Sequence, residues 1–262
     1  MEQQKFVRKN TAIYDNQLRQ ERKRARRKVF YVFLLTFVSL VFIAVCVAVF
    51  LNVEEFKVNG SERYSAEQII ELIPIEKGDN IFSFKSSEIE ENIKINLPYV
   101  NSVEINRDLP TTIEINIVEE TPFYAANIAG SRYIISPQLK VLEKTDDKEA
   151  YSEITELSLN NVRRCLVGNQ VEFVDSRTLD AVLTLYESFE TNYIKEKIRS
   201  VDIRSRFDIY INYDNRFEVY LGDIENLDIK IQFLVGIIGE LDENAKGTID
   251  VSNHQEASVA LT

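Results

Sequence analysis

The 262-residue sequence contains one histidine, two cysteines and no tryptophan. A single histidine, His254, excludes a zinc site built from several histidines, and the H-E-x-x-H pattern of metalloproteases is absent. No G-x-S-x-G motif occurs, and the eight glycines are scattered instead of forming a phosphate-binding loop. The sequence therefore predicts a protein that is not an enzyme, with no catalytic, metal-binding or cofactor-binding residues and no cofactor.

The two cysteines are not expected to form a disulfide with each other, because Cys46 lies in an apolar run that is predicted to span a membrane and Cys165 lies in the part predicted to be outside it. Cys165 follows Arg163 and Arg164, which would lower the pKa of its thiol. A nucleophilic thiol is one interpretation, and a buried structural thiol is the commoner one.

Three further groups are nominal catalytic candidates. A serine–lysine pair could be drawn from Ser83, Lys85, Ser86 and Ser87, and a carboxylate pair from Glu119 and Glu120 or from Asp146 and Asp147. A helix-capping role for Ser87 and a solvent-exposed surface for the rest are favoured, since the chain has 42 acidic residues.

Residues 29–51 form an uncharged run of 23 residues. As a helix rising about 1.5 Å per residue it would cross the roughly 30 Å hydrocarbon core of a bilayer. A cleaved signal peptide is the alternative, but the run is too long and no A-x-A-like site precedes Glu54. The sequence predicts a single retained transmembrane helix.

Charge predicts the orientation of that helix. Residues 1–28 carry ten Lys or Arg and three acids, and the rest of the chain carries a net charge of −18. By the positive-inside rule the basic tail, 1–28, is cytoplasmic and the remainder is extracytoplasmic, as in a single-pass type II membrane protein. The acidic exterior argues against binding nucleic acid.

The sequence pattern of the external part, residues 52–262, predicts an α+β fold in two modules. Residues 52–121 show a β-α-α-β-β order, with a strand at 53–60, capping boxes at Ser65–Gln68 and Ser87–Glu90, and an alternating hairpin that turns at Arg107–Pro110. Residues 122–262 predict a mixed, mainly β domain with two covering helices, at 176–190 and about 226–241. The last strands are predicted at 248–252 and 257–261.

Several of these segments resemble the FtsQ/DivIB family of bacterial cell-division membrane proteins. FKVNG at 56–60 is similar to the opening strand of the family, and LPYVNSVEINRDLPTTIEINIVEETP at 97–122 is similar to the closing hairpin of its POTRA module. FEVYLGDIENLDIKIQFLVGIIGEL at 217–241 and GTID at 247–250 resemble its later strand, long helix and late strand. One departure is Ser136–Leu139, where the family often has an aspartate-x-x-glycine turn.

The resemblance implies a POTRA-like module at 52–121, an FtsQ/DivIB-type β domain at 122–262 and a site at the division septum. It implies a non-enzymatic scaffold of the division complex, the divisome, that binds small bitopic partners of the FtsB/DivIC and FtsL type and helps to regulate septal wall synthesis. No small-molecule substrate is expected. The alternatives are another POTRA-bearing envelope assembly, such as a secretion or sporulation-channel component, and an anchored hydrolase.

The resemblance also implies where a partner binds. In this family the partner adds a strand to the terminal sheet edge, a mode called β-augmentation. The residues expected to form that edge are Asn253, Gln255, Ala257, Val259 and Leu261, with Tyr220 on a neighbouring strand. A frayed tail is the alternative for residues 257–262, and the edge of the first module is a second candidate surface.

Overall fold

A computed structural model describes residues 26–47, 49–147 and 149–262. Helix α1, Arg26–Val47, is long and apolar enough to cross a membrane, and its side chains are largely exposed. This helix fits the predicted transmembrane span. Most of the predicted basic tail precedes residue 26 and lies outside the described residues.

The chain divides into two compact units. The first unit contains the residues up to Lys57 together with Ile75–Lys85 and Arg107–Glu114, and the second contains the remainder. The sequence-based boundary at residues 121 and 122 stays a prediction.

The predicted βααββ order is present in the first part of the chain. Its strands form a three-stranded sheet in the order β1-β3-β2. The elements are β1 (Glu55–Asn59), α2 (Ala66–Ile70), α3 (Ser86–Asn96), β2 (Val100–Asp108) and β3 (Thr112–Glu119).

The two predicted capping boxes differ in outcome. At α2 both halves form, since Ser65 accepts from Gln68 N and the Gln68 side chain accepts from Ser65 N. The prediction for Ser87 is wrong, because α3 begins at Ser86 and Ser87 lies inside it. The sequence pattern gave the helix but placed its start late.

The second part of the chain contains a nine-stranded sheet in the order β14-β13-β12-β11-β10-β7-β4-β5-β6. Its strands are β4 (Tyr124–Ile128), β5 (Ser131–Ile135), β6 (Val141–Lys144), β7 (Thr155–Ser158), β10 (Ile198–Ser205), β11 (Asp208–Tyr213), β12 (Phe217–Gly222), β13 (Gly247–Asn253) and β14 (Glu256–Leu261). A small separate sheet pairs β8 (Val162–Arg164) with β9 (Glu172–Phe173), and neither strand was predicted.

Two helices accompany this sheet, as predicted: α4 (Arg177–Thr191) and α5 (Leu227–Glu240). One large apolar core joins the strands to both helices, with Phe217, Val219 and Ile249 among its buried residues. The spacing of apolar residues in α4 predicts a buried stripe of Leu179, Val182, Leu183, Tyr186 and Phe189. The observed buried face is shifted from that stripe, since Leu185 is buried and Leu183 is only half-buried.

The loop between β5 and β6 explains the departure at Ser136–Leu139. Leu139 adopts a φ of 60°, the left-handed conformation that usually favours glycine, and its side chain is fully buried. Ser136 Oγ accepts from Lys140 N at 3.2 Å, and Leu139 N donates to Ser136 O at 2.9 Å. Burial of leucine in the core offsets the strain of this conformation.

Contacts around Tyr99 connect the start of β2 to the β5–β6 hairpin within the second unit. The Tyr99 hydroxyl donates to Glu143 at 2.9 Å, and the Arg63 guanidinium stacks 3.7 Å from the Tyr99 ring centre. Lys140 Nζ donates to the Val100 carbonyl at 2.7 Å. These charged groups and the buried ring fix the hairpin against β2.

Lys230, in the first turns of α5, is the buried charge that closes the end of β12. Only 2% of its surface is exposed, and its Nζ donates to Leu221 O at 3.0 Å, Asp223 O at 2.9 Å and Asp223 Oδ1 at 3.0 Å. Burial alone would raise the pKa of Asp223, but hydrogen bonds from Lys230 and from backbone N–H groups outweigh burial and lower it.

Replacing Lys230 with Met should therefore destabilise the fold by about 2–4 kcal/mol, because two carbonyls and a carboxylate lose their donor. Chemical unfolding of the detergent-solubilised chain, followed by circular dichroism, measures this difference. The exposed Lys246→Met is the control and should change stability by no more than about 0.5 kcal/mol.

The same variant has a pH signature. A lowered carboxylate pKa adds stability above the pKa of the unfolded state, and this stability is lost as pH falls through the folded pKa. The difference in free energy of unfolding between wild type and Lys230→Met should therefore become smaller as the pH falls. A difference that stays constant with pH would contradict the assigned ion pair.

Candidate partner-binding edge

Strand β14 is one end of the nine-stranded sheet, and among the described residues only β13 pairs with it. The terminal run 257–261 is therefore part of a strand and not a frayed tail. Residues Gly247, Thr248, Ile249 and Asp250 lie opposite Leu261, Ala260, Val259 and Ser258.

The register determines which main-chain groups of β14 face the open side. Thr262 N donates to Lys246 O at 3.0 Å, so the peptide groups of Thr262 point toward β13. Because these groups alternate along an antiparallel strand, those of Leu261 and Val259 point away from β13. They form the unpaired row on which an added strand could bind.

Gly247 allows β14 to approach β13 closely. A Cβ at this position would lie 2.0 Å from the Ala260 carbonyl oxygen and 2.9 Å from Leu261 Cα, and the glycine has a φ of 154°. Any larger side chain would push the edge strand away, so the glycine positions the candidate site.

The side chains of Ala257, Val259 and Leu261 share one face of the sheet, because alternate residues of a strand point to the same side. Val259 lies opposite Ile249, which is buried in the core, so this is the face covered by the helices. Val259 is nevertheless 41% exposed and Leu261 57% exposed. Apolar side chains thus remain accessible beside the open main-chain groups.

Tyr220 does not lie with these three residues. It is opposite Asp250 on β13, and Asp250 is opposite Ser258, so Tyr220 belongs to the other face of the sheet. Its ring stacks on Tyr210 at 4.8 Å, and its hydroxyl donates to Asp208 Oδ1 at 3.1 Å, which raises the pKa of Tyr220. Tyr220 is half-buried, although a partner-binding tyrosine on that strand is expected to be exposed.

Asn253 and Gln255 shape the turn that leads into β14. Asn253 Oδ1 accepts from Gln255 N at 3.0 Å, and Asn253 lies opposite Glu256. The register shifts between Asp250 and Asn253, which marks an irregularity at this end of the strand pair. Both residues therefore determine where the edge begins.

Helix α5 carries exposed apolar side chains that the sequence reasoning missed. Ile229, Phe233 and Val235 are exposed, and a shallow groove of about 420 Å³ is lined by Ile229, Phe233, Gly236 and Ile237. The signal was available, since apolar residues occur on all sides of the helix instead of on one stripe.

Three of the nominal catalytic residues, Cys165, Glu119 and Asp147, are partly buried or hydrogen-bonded in ways that fit a structural role. Burial raises the pKa of the Cys165 thiol to about 11, so the thiol is not activated at neutral pH. Glu119 Oε1 accepts from Ser61 Oγ at 2.7 Å and from the N–H groups of Glu62 and Arg63. Asp147 Oδ1 accepts from Glu149 N at 3.0 Å, at the start of a short 3₁₀ helix.

Metal binding gains no support from the described parts of the chain, where no group of three or more His, Cys, Asp or Glu side chains converges. The edge of β14 has the features of a surface that binds an extended polypeptide, because unpaired main-chain donors and acceptors lie beside exposed apolar side chains.

Residues 51–120 match the family described as "POTRA domain, FtsQ-type". The chain is 26% identical to the cell division protein DivIB of Clostridium botulinum strain Hall over 246 residues, which cover 91% of this chain and 93% of the relative. It is 28% identical to the cell division protein FtsQ of Corynebacterium glutamicum over 178 residues, covering 67% and 73%. It is 25% identical to DivIB of Bacillus subtilis strain 168 over 243 residues, covering 88% and 82%.

These relatives bear out the resemblance to the FtsQ/DivIB proteins that was drawn from the sequence, and they support a role in cell division. The protein therefore has an N-terminal apolar helix, an FtsQ-type POTRA domain and a large, mainly β domain, and it resembles the DivIB and FtsQ cell division proteins over most of its length.

Proposed function

We propose that this protein is a non-enzymatic scaffold of the divisome that binds small bitopic proteins of the FtsB/DivIC and FtsL type. It is anchored by α1 with its N-terminus in the cytoplasm, its folded modules act outside the membrane at the septum, and it helps to regulate septal wall synthesis. The names of its relatives and the single apolar helix support this role.

The open edge of β14 is the observation that carries the proposal. A partner segment in an extended conformation pairs with the outward main-chain groups of Val259 and Leu261. The side chains of Ala257, Val259 and Leu261 then select apolar residues at alternate positions of the partner strand. Asn253 and Gln255 set the start of this edge, and Tyr220 lies on the opposite face of the sheet, with β13 between it and β14.

A role without catalysis agrees with the chemistry of the described residues. The Cys165 thiol has a raised pKa, and Glu119 and Asp147 accept hydrogen bonds that organise the local backbone. Groups engaged in this way are poor candidates for a nucleophile or a general acid and base.

Deleting residues 253–262 should abolish capture of a DivIC-type partner while α1 and the sheet core remain, because the deletion removes β14 and its turn. The measurement is co-purification of the partner with the tagged full-length chain from membranes. Circular dichroism of the purified variant checks its fold, and unchanged capture by a folded variant would rule out this edge.

Substituting Val259 with Pro tests the main-chain contact more directly. Proline removes the N–H that points away from β13, and proline is tolerated in edge strands at such positions. Partner affinity should fall about tenfold, equivalent to one or two lost hydrogen bonds. Val259→Ala is the matched control, since it truncates the side chain but keeps the N–H. Equal losses of partner affinity in Val259→Pro and Val259→Ala would show that the side chain, not the main chain, supplies the contact.

Orientation is tested by adding a protease to intact spheroplasts. Residues 60–262 should be digested and the basic tail spared, because the ten Lys and Arg of residues 1–28 favour the cytoplasmic side. Lysed spheroplasts, in which the tail is also digested, are the control. Protection of residues 60–262 with loss of the tail would invert the proposed topology.

A further inference from the structure

The loop Ile75–Lys85 is bonded directly to the end of the apolar helix, within the first unit. The Asn80 side chain donates from Nδ2 to the Val47 carbonyl at 2.9 Å, and Ile81 N donates to the Leu51 carbonyl at 2.8 Å. Val53 N donates to Asp79 O, and Gly78 N donates to Val53 O, both at 2.8 Å. The loop therefore lies at the same level as residues 47–53.

That level can be placed against a bilayer. The apolar run 29–51 has its midpoint at Leu40, and Val47 lies seven residues further on. At about 1.5 Å per residue the Val47 carbonyl is roughly 10–12 Å from the midpoint, and Leu51 is about 16 Å from it. The hydrocarbon core reaches about 15 Å on each side of its midplane, so Asn80–Phe82 lie at its boundary with the headgroups.

Two apolar side chains near this level are exposed. Phe82 is 52% exposed, and Leu109, in the turn between β2 and β3, is 55% exposed. The turn is held beside the helix end because Glu54 N donates to Thr111 O at 2.8 Å. Leu109 is two residues from that bond.

Arg107 fixes the loop around Phe82. Its Nε donates to Ile81 O at 2.9 Å, its Nη2 donates to Phe84 O at 3.0 Å, and its guanidinium stands 4.3 Å from the Phe84 ring centre. Phe82 N also donates to Asn80 Oδ1 at 3.0 Å. The backbone on both sides of Phe82 is thereby held, and its ring stays outward while the neighbouring Ile81 is buried.

We infer that Phe82 and Leu109 insert into the boundary layer of the bilayer that α1 crosses, so that the first unit rests on the lipid surface. Apolar and aromatic side chains at this depth gain a partly apolar environment, while the polar groups beside them stay hydrated in the headgroup layer. The contact is continuous with the transmembrane helix, which identifies lipid as the occupant. This inference rests on α1 crossing the bilayer and is independent of any protein partner.

The absence of tryptophan from the chain makes the test direct. Phe82→Trp and Leu109→Trp each introduce one fluorophore into the full-length chain, which is reconstituted in phosphatidylcholine–phosphatidylglycerol vesicles with plain or brominated acyl chains. Tryptophan at the boundary should emit at shorter wavelength and lose about half of its intensity in brominated vesicles.

Phe207→Trp is the matched control. Phe207 is 58% exposed and has the Arg206 guanidinium 4.0 Å from its ring centre. It therefore resembles Phe82, which is 52% exposed and has the Arg107 guanidinium 5.8 Å from its ring centre. Its emission should be that of an exposed indole in both kinds of vesicle. Circular dichroism checks that all three variants fold.

Quenching at residues 82 and 109 but not at 207 supports the contact. Equal emission at all three positions, quenching at only one of the two proposed positions, or quenching at residue 207 as well overturns it. Failure of the chain to float with the vesicles overturns the membrane crossing on which the contact rests. Partner capture is not measured in this experiment, so its outcome is separate from that of the proposed scaffold role.

Discussion

The reciprocal hydrogen bonds between Val53 and the Gly78–Asp79 backbone are the constraint on which the rest of the first unit depends. Val53 is buried and uses both its N–H and its C=O in this pairing. It lies two residues after the end of the apolar run at Leu51. Asn80 reaches further back, to the carbonyl of Val47. A flexible linker between membrane and folded domain is thus replaced by paired backbone, which ties the helix end to the fold.

A second constraint acts at the opposite end of the chain, where the sheet finishes in an unpaired edge. Exposed edges invite unwanted pairing, and natural proteins usually protect them with charges, prolines or coverings. Strand β14 has one acidic residue, Glu256, at its start and otherwise small or apolar residues. Gly247 holds this strand close to β13, so the edge is well formed and still open. An edge of this kind can accept an added strand, which agrees with the proposed scaffold role.

Much of the fold could be predicted from the sequence because its elements follow clear periods. The alternation at Ile113, Ile115 and Ile117 gave β3, and the capping box at Ser65–Gln68 gave the start of α2. Strands β8 and β9 were missed because they are three and two residues long, too short for alternation to show. Their pairing depends on tertiary contacts that no local pattern encodes.

The candidate site at β14 could also be predicted in part from the alternation of side chains along a strand. A period of two places Ala257, Val259 and Leu261 on one face, whichever strand they pair with. The position of Tyr220 on the other face depends on the register from β12 through β13 to β14, which sequence reasoning left undetermined. Lys230 was missed because a lysine on a helix is ordinarily solvent-exposed, and its burial follows from the three acceptors at the end of β12.

The composition of β14 bears on where binding energy comes from. Its outward main-chain groups supply hydrogen bonds to any extended peptide, so they give affinity with little selection. Aromatic residues usually dominate binding energy at protein interfaces, and β14 has none. Tyr220 is already engaged by Tyr210 and Asp208, whereas Phe233 on α5 is exposed, and α5 packs against β13. The exposed Phe233 ring can still be buried against another surface, whereas the stacked Tyr220 ring already has its contacts. An aromatic contribution beside the side chains of β14 would therefore come from the flank of α5.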